Sequence, residues 1–193
     1  MKTKKHWYDY LWIASTLYLL LGFINILFAW LGLLCFFIPL IISIVKGNKA
    51  YCNKYCGRGK LFNLLGNKLG LSIKRECPTI LRRQWFRYSF LIFFLTMFGN
   101  MIFVTYMVFG GSRELVNVVK LLWTINFPWN FSYNNSISPW IAQFAFGFYS
   151  VMLTSTVLGI ITMIFFKPRT WCVYCPMGTM TQAICKVKNH GKE

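Results

Sequence analysis

Three long apolar stretches limit what this chain can fold into: residues 11–45, 88–110 and 139–166. A helix needs about 20 mainly apolar residues to cross a bilayer, because the hydrocarbon core is about 30 Å thick and a helix rises about 1.5 Å per residue. The second and third stretches each fit one such helix. Only 13% of the residues are charged, well below the usual share in soluble domains. The sequence therefore predicts an integral membrane protein.

The first stretch, residues 11–45, is too long for a single upright span, since one helix of that length would extend about 52 Å. Two short spans fit better, with a tight turn near Trp30, Leu31 and Gly32. Pro39 leaves open one span followed by a re-entrant segment. The stretch is also too long for a signal peptide, so we expect it to be retained. The favoured fold class is an all-α membrane protein with four transmembrane helices in two hairpins.

The Lys and Arg residues are distributed very unevenly. Of the 21 in the chain, all but Arg113 and Lys120 lie before residue 11, between 46 and 87, or after 166. Because cytoplasmic loops are enriched in Lys and Arg, we expect a multi-pass protein of the cell membrane with both termini in the cytoplasm. A net charge of +17 would suggest nucleic acid in a soluble protein. Because most of this positive charge lies next to predicted spans, it indicates contact with membrane lipid instead. We expect no nucleic acid partner.

Two cysteine pairs follow the apolar stretches: Cys52 and Cys56 in YCNKYCGRGKLF, and Cys172 and Cys175 in WCVYCPMGTMTQ. Two predicted spans separate the pairs, so both pairs face the same side of the membrane, the cytoplasm. Thiols stay reduced there, which favours a metal or redox cofactor over disulfides. Four soft thiolate ligands match a [4Fe-4S] cluster or a tetrahedral zinc ion.

The two motifs have the form of an internal repeat. Aligned residues are Cys56 with Cys175, Tyr55 with Tyr174, and Gly59 with Gly178. We therefore predict two repeats, residues 1–87 and 88–193, each made of two spans and a cysteine motif and related by an axis along the membrane normal. This symmetry would bring the two pairs face to face at the cytoplasmic rim.

The motifs and the hairpin organisation resemble the NapH/NosR-type membrane iron–sulfur proteins, whose transmembrane hairpins end in C-x3-C-P motifs. This chain differs in having Gly57 in place of the proline, and only Val173 and Tyr174 between its second pair of cysteines. The C-terminal ferredoxin module common in such proteins is absent. The resemblance implies electron transfer at the cytoplasmic membrane face, with a redox partner subunit that is a ferredoxin, a flavoprotein or a quinone-linked enzyme.

The residues that we expect to bind one [4Fe-4S] cluster are Cys52, Cys56, Cys172 and Cys175. Lys and Arg residues near these pairs would favour the reduced cluster or touch lipid headgroups, namely Lys46, Lys49, Lys54, Arg58, Lys60, Lys167 and Arg169. Gly57, Gly59 and Gly178 would let the backbone approach the cluster, or are simple turn residues. Cys77 and Cys185 are either further ligands or residues that do not bind the cluster. Cys35 is interpreted as a small apolar residue inside a span.

Two loops have distinctive composition. Leucines recur at roughly helical spacing within residues 60–75, KLFNLLGNKLGLSIKR, which predicts a basic amphipathic helix on the headgroups or a docking face for a soluble partner. The loop at 111–138 is rich in Trp, Phe and Tyr, as in an interfacial aromatic belt.

Two other functions remain open on these residues: a quinone-linked thiol–disulfide oxidoreductase and a membrane zinc-site protein. His6 and His190 lie outside the spans, so the sequence offers no bis-histidine haem site between helices. No charged residue lies in the middle of a span, which gives no support to a pump or channel. We therefore favour the prediction that the protein is an electron-transfer subunit rather than a stand-alone enzyme.

Overall fold

The computed structural model describes residues 7–48, 51–73, 75–116, 118–121, 125–128 and 138–190, without the side chains of Trp7, Asn53, Asn189 and His190. Some residues used in the predictions lie outside this part. These residues are the basic residues Lys2, Lys4, Lys5, Lys49, Lys74 and Lys192, together with His6 and most of the aromatic segment between 122 and 137.

The chain is mainly helical, as predicted. Its α-helices are α1 Leu11–Ile24, α2 Gly32–Lys46, α3 Gly57–Asn63, α4 Thr79–Arg82, α5 Gln84–Phe109, α6 Pro139–Phe165, α7 Trp171–Tyr174 and α8 Pro176–His190. Short 3-10 helices cover Trp7–Tyr10 and Ile26–Leu31, and π-helical turns cover Tyr51–Tyr55 and Leu64–Lys68. Strands β1 Val118–Leu121 and β2 Ile125–Pro128 pair antiparallel, with Val118 opposite Pro128.

Among the described residues, three helical segments are long and apolar enough to cross a membrane: Ile26–Lys46, Gln84–Phe109 and Pro139–Phe165. The segment Tyr8–Ile24 is apolar but shorter. The α2 helix runs continuously through Pro39, so the re-entrant alternative finds no support there. The prediction of apolar spanning helices is thus met in part, with three clear candidates and a shorter fourth helix.

The first apolar stretch does divide into two helical parts, but at Asn25 rather than near Trp30 to Gly32. Asn25 is extended, with φ −139° and ψ 117°, and its side chain accepts a hydrogen bond from Leu27 N at 3.1 Å. This cap ends α1 and starts the 3-10 helix. Gly32 is itself right-handed helical. The predicted turn position was wrong because the Asn25 side chain, and not the glycine, interrupts the helix.

The chain forms two compact units. The first unit comprises Met1–Thr16, Cys35–Leu91 and Leu158–Glu193. Its core contains Phe62, Met163, Trp171 and Tyr174, all almost fully buried. Every cysteine belongs to this unit, and so do all Lys and Arg residues except Arg113 and Lys120.

The second unit comprises Leu17–Leu34 and Ile92–Val157. Tyr149 in α6 donates a hydrogen bond from its hydroxyl to Leu19 O in α1, at 2.9 Å. The β1 strand is tied to α6 as well, because Lys120 N donates to Ser150 Oγ at 3.0 Å. This ribbon lies in the loop at 111–138, so the fold is not purely α-helical. Helical periodicity in the spans gave no sign of it.

The predicted amphipathic helix is shorter than expected. The α3 helix continues through the π-helical turn only to Lys68, and Gly70 then has φ +66°, a left-handed conformation that ends the helix. Beyond it the backbone pairs with the end of α6, where Ile73 N donates to Ile164 O at 2.9 Å. Leu61 is buried but Ile73 is 65% exposed. The leucine spacing therefore describes a helix only over its first half.

Candidate metal centre

The two cysteine motifs share a backbone geometry. Cys56 lies between the turn Tyr51–Tyr55 and α3, with φ −68° and ψ 106°. Cys175 lies between α7 and α8, with φ −49° and ψ 129°. In each motif the cysteine carbonyl accepts a hydrogen bond from the backbone N–H four residues on, at 3.1 Å for Lys60 and 2.9 Å for Thr179. The second cysteine of each motif is therefore the extended residue from which the next helix starts.

Gly59 lies close to sulfurs of both motifs. A Cβ atom at this position would lie 3.6 Å from the Cys172 Sγ and 3.7 Å from the Cys56 Sγ. The sulfurs of the first and second motifs thus border the same small space. A side chain longer than alanine would project into that space, so the glycine keeps it open for a group held by the sulfurs.

Cys52 and Cys175 extend this arrangement. The Cys52 Sγ lies 3.7 Å from Thr181 Oγ1 on α8, the helix that begins directly after Cys175. The Cys175 sulfur accepts a hydrogen bond from the backbone N–H of Gly178, which agrees with the expected role of this glycine in backbone contact. Cys52 of the first pair thus contacts α8, and Cys175 of the second pair accepts a hydrogen bond from the first turn of α8.

Burial raises the pKa of the Cys172 thiol to about 12, with smaller contributions from the other three motif thiols. Burial is also the main reason that the pKa of Cys175 rises to about 11, although the Gly178 N–H lowers it. Thiols of this kind lose their protons when a metal ion supplies the compensating positive charge. The thiols of Cys56, Cys175 and Cys52 all act on the pKa of Cys172, and four such thiols are a donor set that fits an iron–sulfur cluster.

Two of the predicted cations act on these thiols. Arg58 lowers the pKa of Cys175, and Arg169 lowers that of Cys172, each against the larger effect of burial. Other cations have carboxylate partners instead. Lys60 pairs with Asp9 at 2.5 Å, and Lys167 pairs with Glu76 at 3.0 Å. Of the predicted cations, Arg58 and Arg169 thus act on the motif thiols, and whether they favour a reduced cluster stays a prediction.

An aromatic cluster packs behind the second motif. Trp171 and Tyr174 flank Cys172 in sequence, and their rings are 5.0 Å apart between centroids. Phe90 of α5 meets the Tyr174 ring edge-on at 5.3 Å and the Trp171 ring at 5.8 Å. Trp171 and Tyr174 are only 3% and 4% exposed. These rings keep water away from one side of the motif.

Sequence reasoning missed three neighbours of the site. Thr181, which is 1% exposed, faces Cys52. Tyr51 begins the first motif, and its pKa is raised by burial and then by the thiols of Cys35, Cys56 and Cys52. Cys35 therefore lies near the motif cysteines, although its position inside an apolar stretch indicated only packing. No spacing rule in the sequence connects any of these residues to the motifs.

Cys77 and Cys185 are both buried. The Cys77 Sγ contacts the carbonyl oxygen of the adjacent Pro78 at 3.7 Å. None of the seven cysteines, all in the described part, forms a disulfide. Within the same part, no three side chains of Cys, His, Asp or Glu converge as ligands of a single ion.

Comparison with protein families gives a match in two segments of the chain. Residues 28–76 and 150–191 match the family model of a 4Fe-4S binding domain. The first segment contains Cys52 and Cys56, and the second contains Cys172 and Cys175. No curated protein and no solved structure matches the chain. The cofactor is a [4Fe-4S] cluster. The two matched segments cover just under half of the chain, and they are consistent with a 4Fe-4S binding protein and suggest an iron–sulfur electron-transfer role.

Proposed function

We propose that this protein is a membrane-bound electron-transfer protein of the NapH/NosR type, in which Cys52, Cys56, Cys172 and Cys175 hold one [4Fe-4S] cluster at the cytoplasmic membrane face. The proposal rests mainly on the approach of the Cys172 and Cys56 sulfurs across Gly59. A bound cluster supplies one-electron transfer. The thiols provide the four ligands that such a cluster requires, two from each predicted repeat.

The surrounding groups support the reduced state of this site. The Gly178 N–H bonds to the Cys175 sulfur, and the Thr181 hydroxyl lies beside Cys52. Arg58 and Arg169 add positive charge. Hydrogen bonds to ligand sulfur and nearby cations both stabilise the added negative charge and so raise the reduction potential.

The membrane part of the proposal rests on exposed apolar surface and on charge. On α5, the side chains of Ile92, Phe103 and Tyr106 are 65%, 58% and 71% exposed, which would be costly in water but suits lipid. The unit with the cysteines also contains all Lys and Arg residues except Arg113 and Lys120. The positive-inside bias then favours a cytoplasmic location for that unit. We accordingly propose four spans in two hairpins, with Tyr8–Ile24 as the shortest.

A redox partner is part of the proposal, since a single cluster passes electrons only to a centre close by. Exposed cations on the cysteine-containing unit include Lys54, Arg82 and Arg83. They would attract an acidic surface on a ferredoxin, a flavoprotein or a quinone-linked enzyme. Electron transfer to such a partner is expected to slow as ionic strength rises.

The deciding experiment is anaerobic purification followed by iron and sulfide analysis. We expect about four iron and four sulfide ions per chain and a brown protein. Replacement of Cys52, Cys56, Cys172 or Cys175 by serine should remove the colour in each case, whereas Cys77→Ser and Cys185→Ser serve as matched controls and should keep it. Full iron in any of the four variants would overturn the ligand assignment. A colourless zinc protein, or one with a reactive dithiol and no iron, would point to the other two functions.

A further inference from the structure

A small pocket lies outside the cysteine site, between the start of α5 and the middle of α8. It is lined by Gln84, Arg87, Tyr88, Thr179, Gln182 and Lys186. Two of these side chains are cationic and none is a carboxylate. The volume accessible to water is about 10 Å³, room for one water-sized group. One oxygen of a compact anion fits this space.

The Arg87 guanidinium has unused hydrogen-bonding capacity in this pocket. Its Nη2 donates to Gln182 Oε1, but its buried Nε–H has no partner. A buried guanidinium donor without an acceptor costs free energy, because such a group in an apolar setting gives up its hydrogen bonds to water. This Nε–H therefore lacks an acceptor, and the same Arg87 side chain lines the pocket.

No carboxylate in the described part of the chain serves this purpose. Asp9 pairs with Lys60, and Glu76 pairs with Lys167. Glu114 is not among the residues that line the pocket. The positive charges of Arg87 and Lys186 are thus left for a ligand from outside the chain.

We propose that this pocket binds a phosphate group. A planar guanidinium with an ammonium group and polar side chains around it matches the several oxygens of a phosphate, and the fork of an arginine favours paired contacts. The proposal is independent of the cysteine ligands, because none of the four lines the pocket. It goes beyond electron transfer by assigning a separate binding site.

The position of the pocket indicates where the phosphate comes from. Arg87 and Tyr88 are near the first residue of the candidate span Gln84–Phe109. Trp85 beside them is 78% exposed and Tyr88 is 44% exposed, as is typical of aromatic residues at the headgroup level. Basic pockets at the cytoplasmic ends of spans bind anionic headgroups. An anionic phospholipid is therefore the favoured source, and inorganic phosphate is the other.

The test uses the full-length, iron-loaded protein in detergent after removal of bound lipid. Native mass spectrometry would count bound phosphatidylglycerol or phosphatidylcholine molecules, with inorganic phosphate added as a competitor in a second arm. We expect phosphatidylglycerol to bind more tightly than phosphatidylcholine. Arg87→Gln should weaken its binding about tenfold or more, because a charge-assisted hydrogen bond is lost, and Lys186→Gln should weaken it as well.

Arg83→Gln is the matched control, since Arg83 is an exposed cation one turn before Arg87 and does not line the pocket. Its affinity should stay within about twofold of the unmodified protein. Competition by inorganic phosphate would assign the site to free phosphate, and retained lipid despite phosphate would assign it to the headgroup. Equal losses in Arg83→Gln and Arg87→Gln, or no preference for phosphatidylglycerol and no competition by phosphate, would overturn the proposal.

Iron content measured on each variant separates this result from the proposed function. If Arg87→Gln loses iron, the Lys186→Gln variant alone decides whether the pocket binds phosphate. Lys186 is exposed, so its replacement leaves the buried core intact. If the protein binds phosphatidylglycerol but contains no iron, the phosphate site is supported and the cluster assignment is wrong.

Discussion

The Cys172 sulfur lies 3.6 Å from the point where a side chain at Gly59 would begin, and the Cys56 sulfur lies 3.7 Å from the same point. These distances are ordinary van der Waals contacts, so a methyl group fits, whereas a longer side chain would extend into the space that the two sulfurs border. A small residue is thus required by that space rather than by the backbone conformation, which is that of α3. A test of the site follows from this difference.

Gly59→Ala is expected to keep full iron, and Gly59→Leu to lose most of it, because the longer side chain enters the space bordered by Cys56 and Cys172. Iron per chain in anaerobically purified protein is the measurement. Gly99→Leu is the matched control, since a side chain at Gly99 would meet no atom within 4 Å. Equal iron in Gly59→Leu and Gly99→Leu would show that the cluster lies elsewhere.

Thr181 offers a test of the site that leaves its ligands unchanged. Its hydroxyl lies 3.7 Å from the Cys52 sulfur and also donates to Gly178 O at 3.1 Å. Thr181→Val removes this hydroxyl while keeping nearly the same side-chain shape. One such bond is worth about 1 kcal/mol, or about 40 mV for a one-electron couple. We expect the midpoint potential to fall by about that amount while the iron content stays constant.

Thr105→Val is the control for this substitution, because the Thr105 hydroxyl bonds only within α5, to Met101 O at 2.9 Å. Its potential should equal that of the unmodified protein. A potential that does not change in Thr181→Val would mean that the hydroxyl bonds to Gly178 O alone and does not stabilise the reduced cluster.

The cysteine motifs could be recognised from sequence because their chemistry and spacing are local. The alignment of Cys56 with Cys175 predicts equivalent roles, and both residues prove to be extended and to start a helix. The cofactor class was predicted correctly for the same reason. Four thiols in two short segments leave few alternatives to a metal or redox cofactor.

Other features escape a count of apolar residues. The helix predicted over 60–75 ends at Lys68, because Gly70 takes a left-handed conformation, and the backbone beyond it bonds to the end of α6. Cys35 comes near the first motif only through the packing of α2 in the same compact unit. The break at Asn25 arises from one side-chain cap, which a count of apolar residues does not register.

The core of the cysteine-containing unit should be sensitive to the loss of Phe62. This side chain is fully buried beside Met163 and Trp171, and its ring lies against Gly159. Phe62→Ala is expected to lower the free energy of unfolding by about 3–5 kcal/mol through lost contacts and a new cavity. Thermal or denaturant unfolding in detergent, followed by the loss of visible absorbance, measures the effect.

Phe103→Ala is the comparison for Phe62→Ala, because Phe103 is 58% exposed on α5. We expect the midpoint of unfolding to change little in that variant. Similar losses in the two variants would mean that the unit is stabilised mainly by its surroundings rather than by the buried aromatic core.

The proposed orientation can be tested with protease sites inserted after Asn48 and after Ser112. The first position precedes the Cys52 motif, and the second lies in the loop with the isolated cation Arg113. By the positive-inside bias, the site after Asn48 should be cut only from the cytoplasmic face and the site after Ser112 only from the opposite face. Inside-out vesicles and intact spheroplasts present these two faces separately. Iron content serves as the control for folding of each insertion variant, and cleavage of both sites from one face would exclude a membrane helix between them.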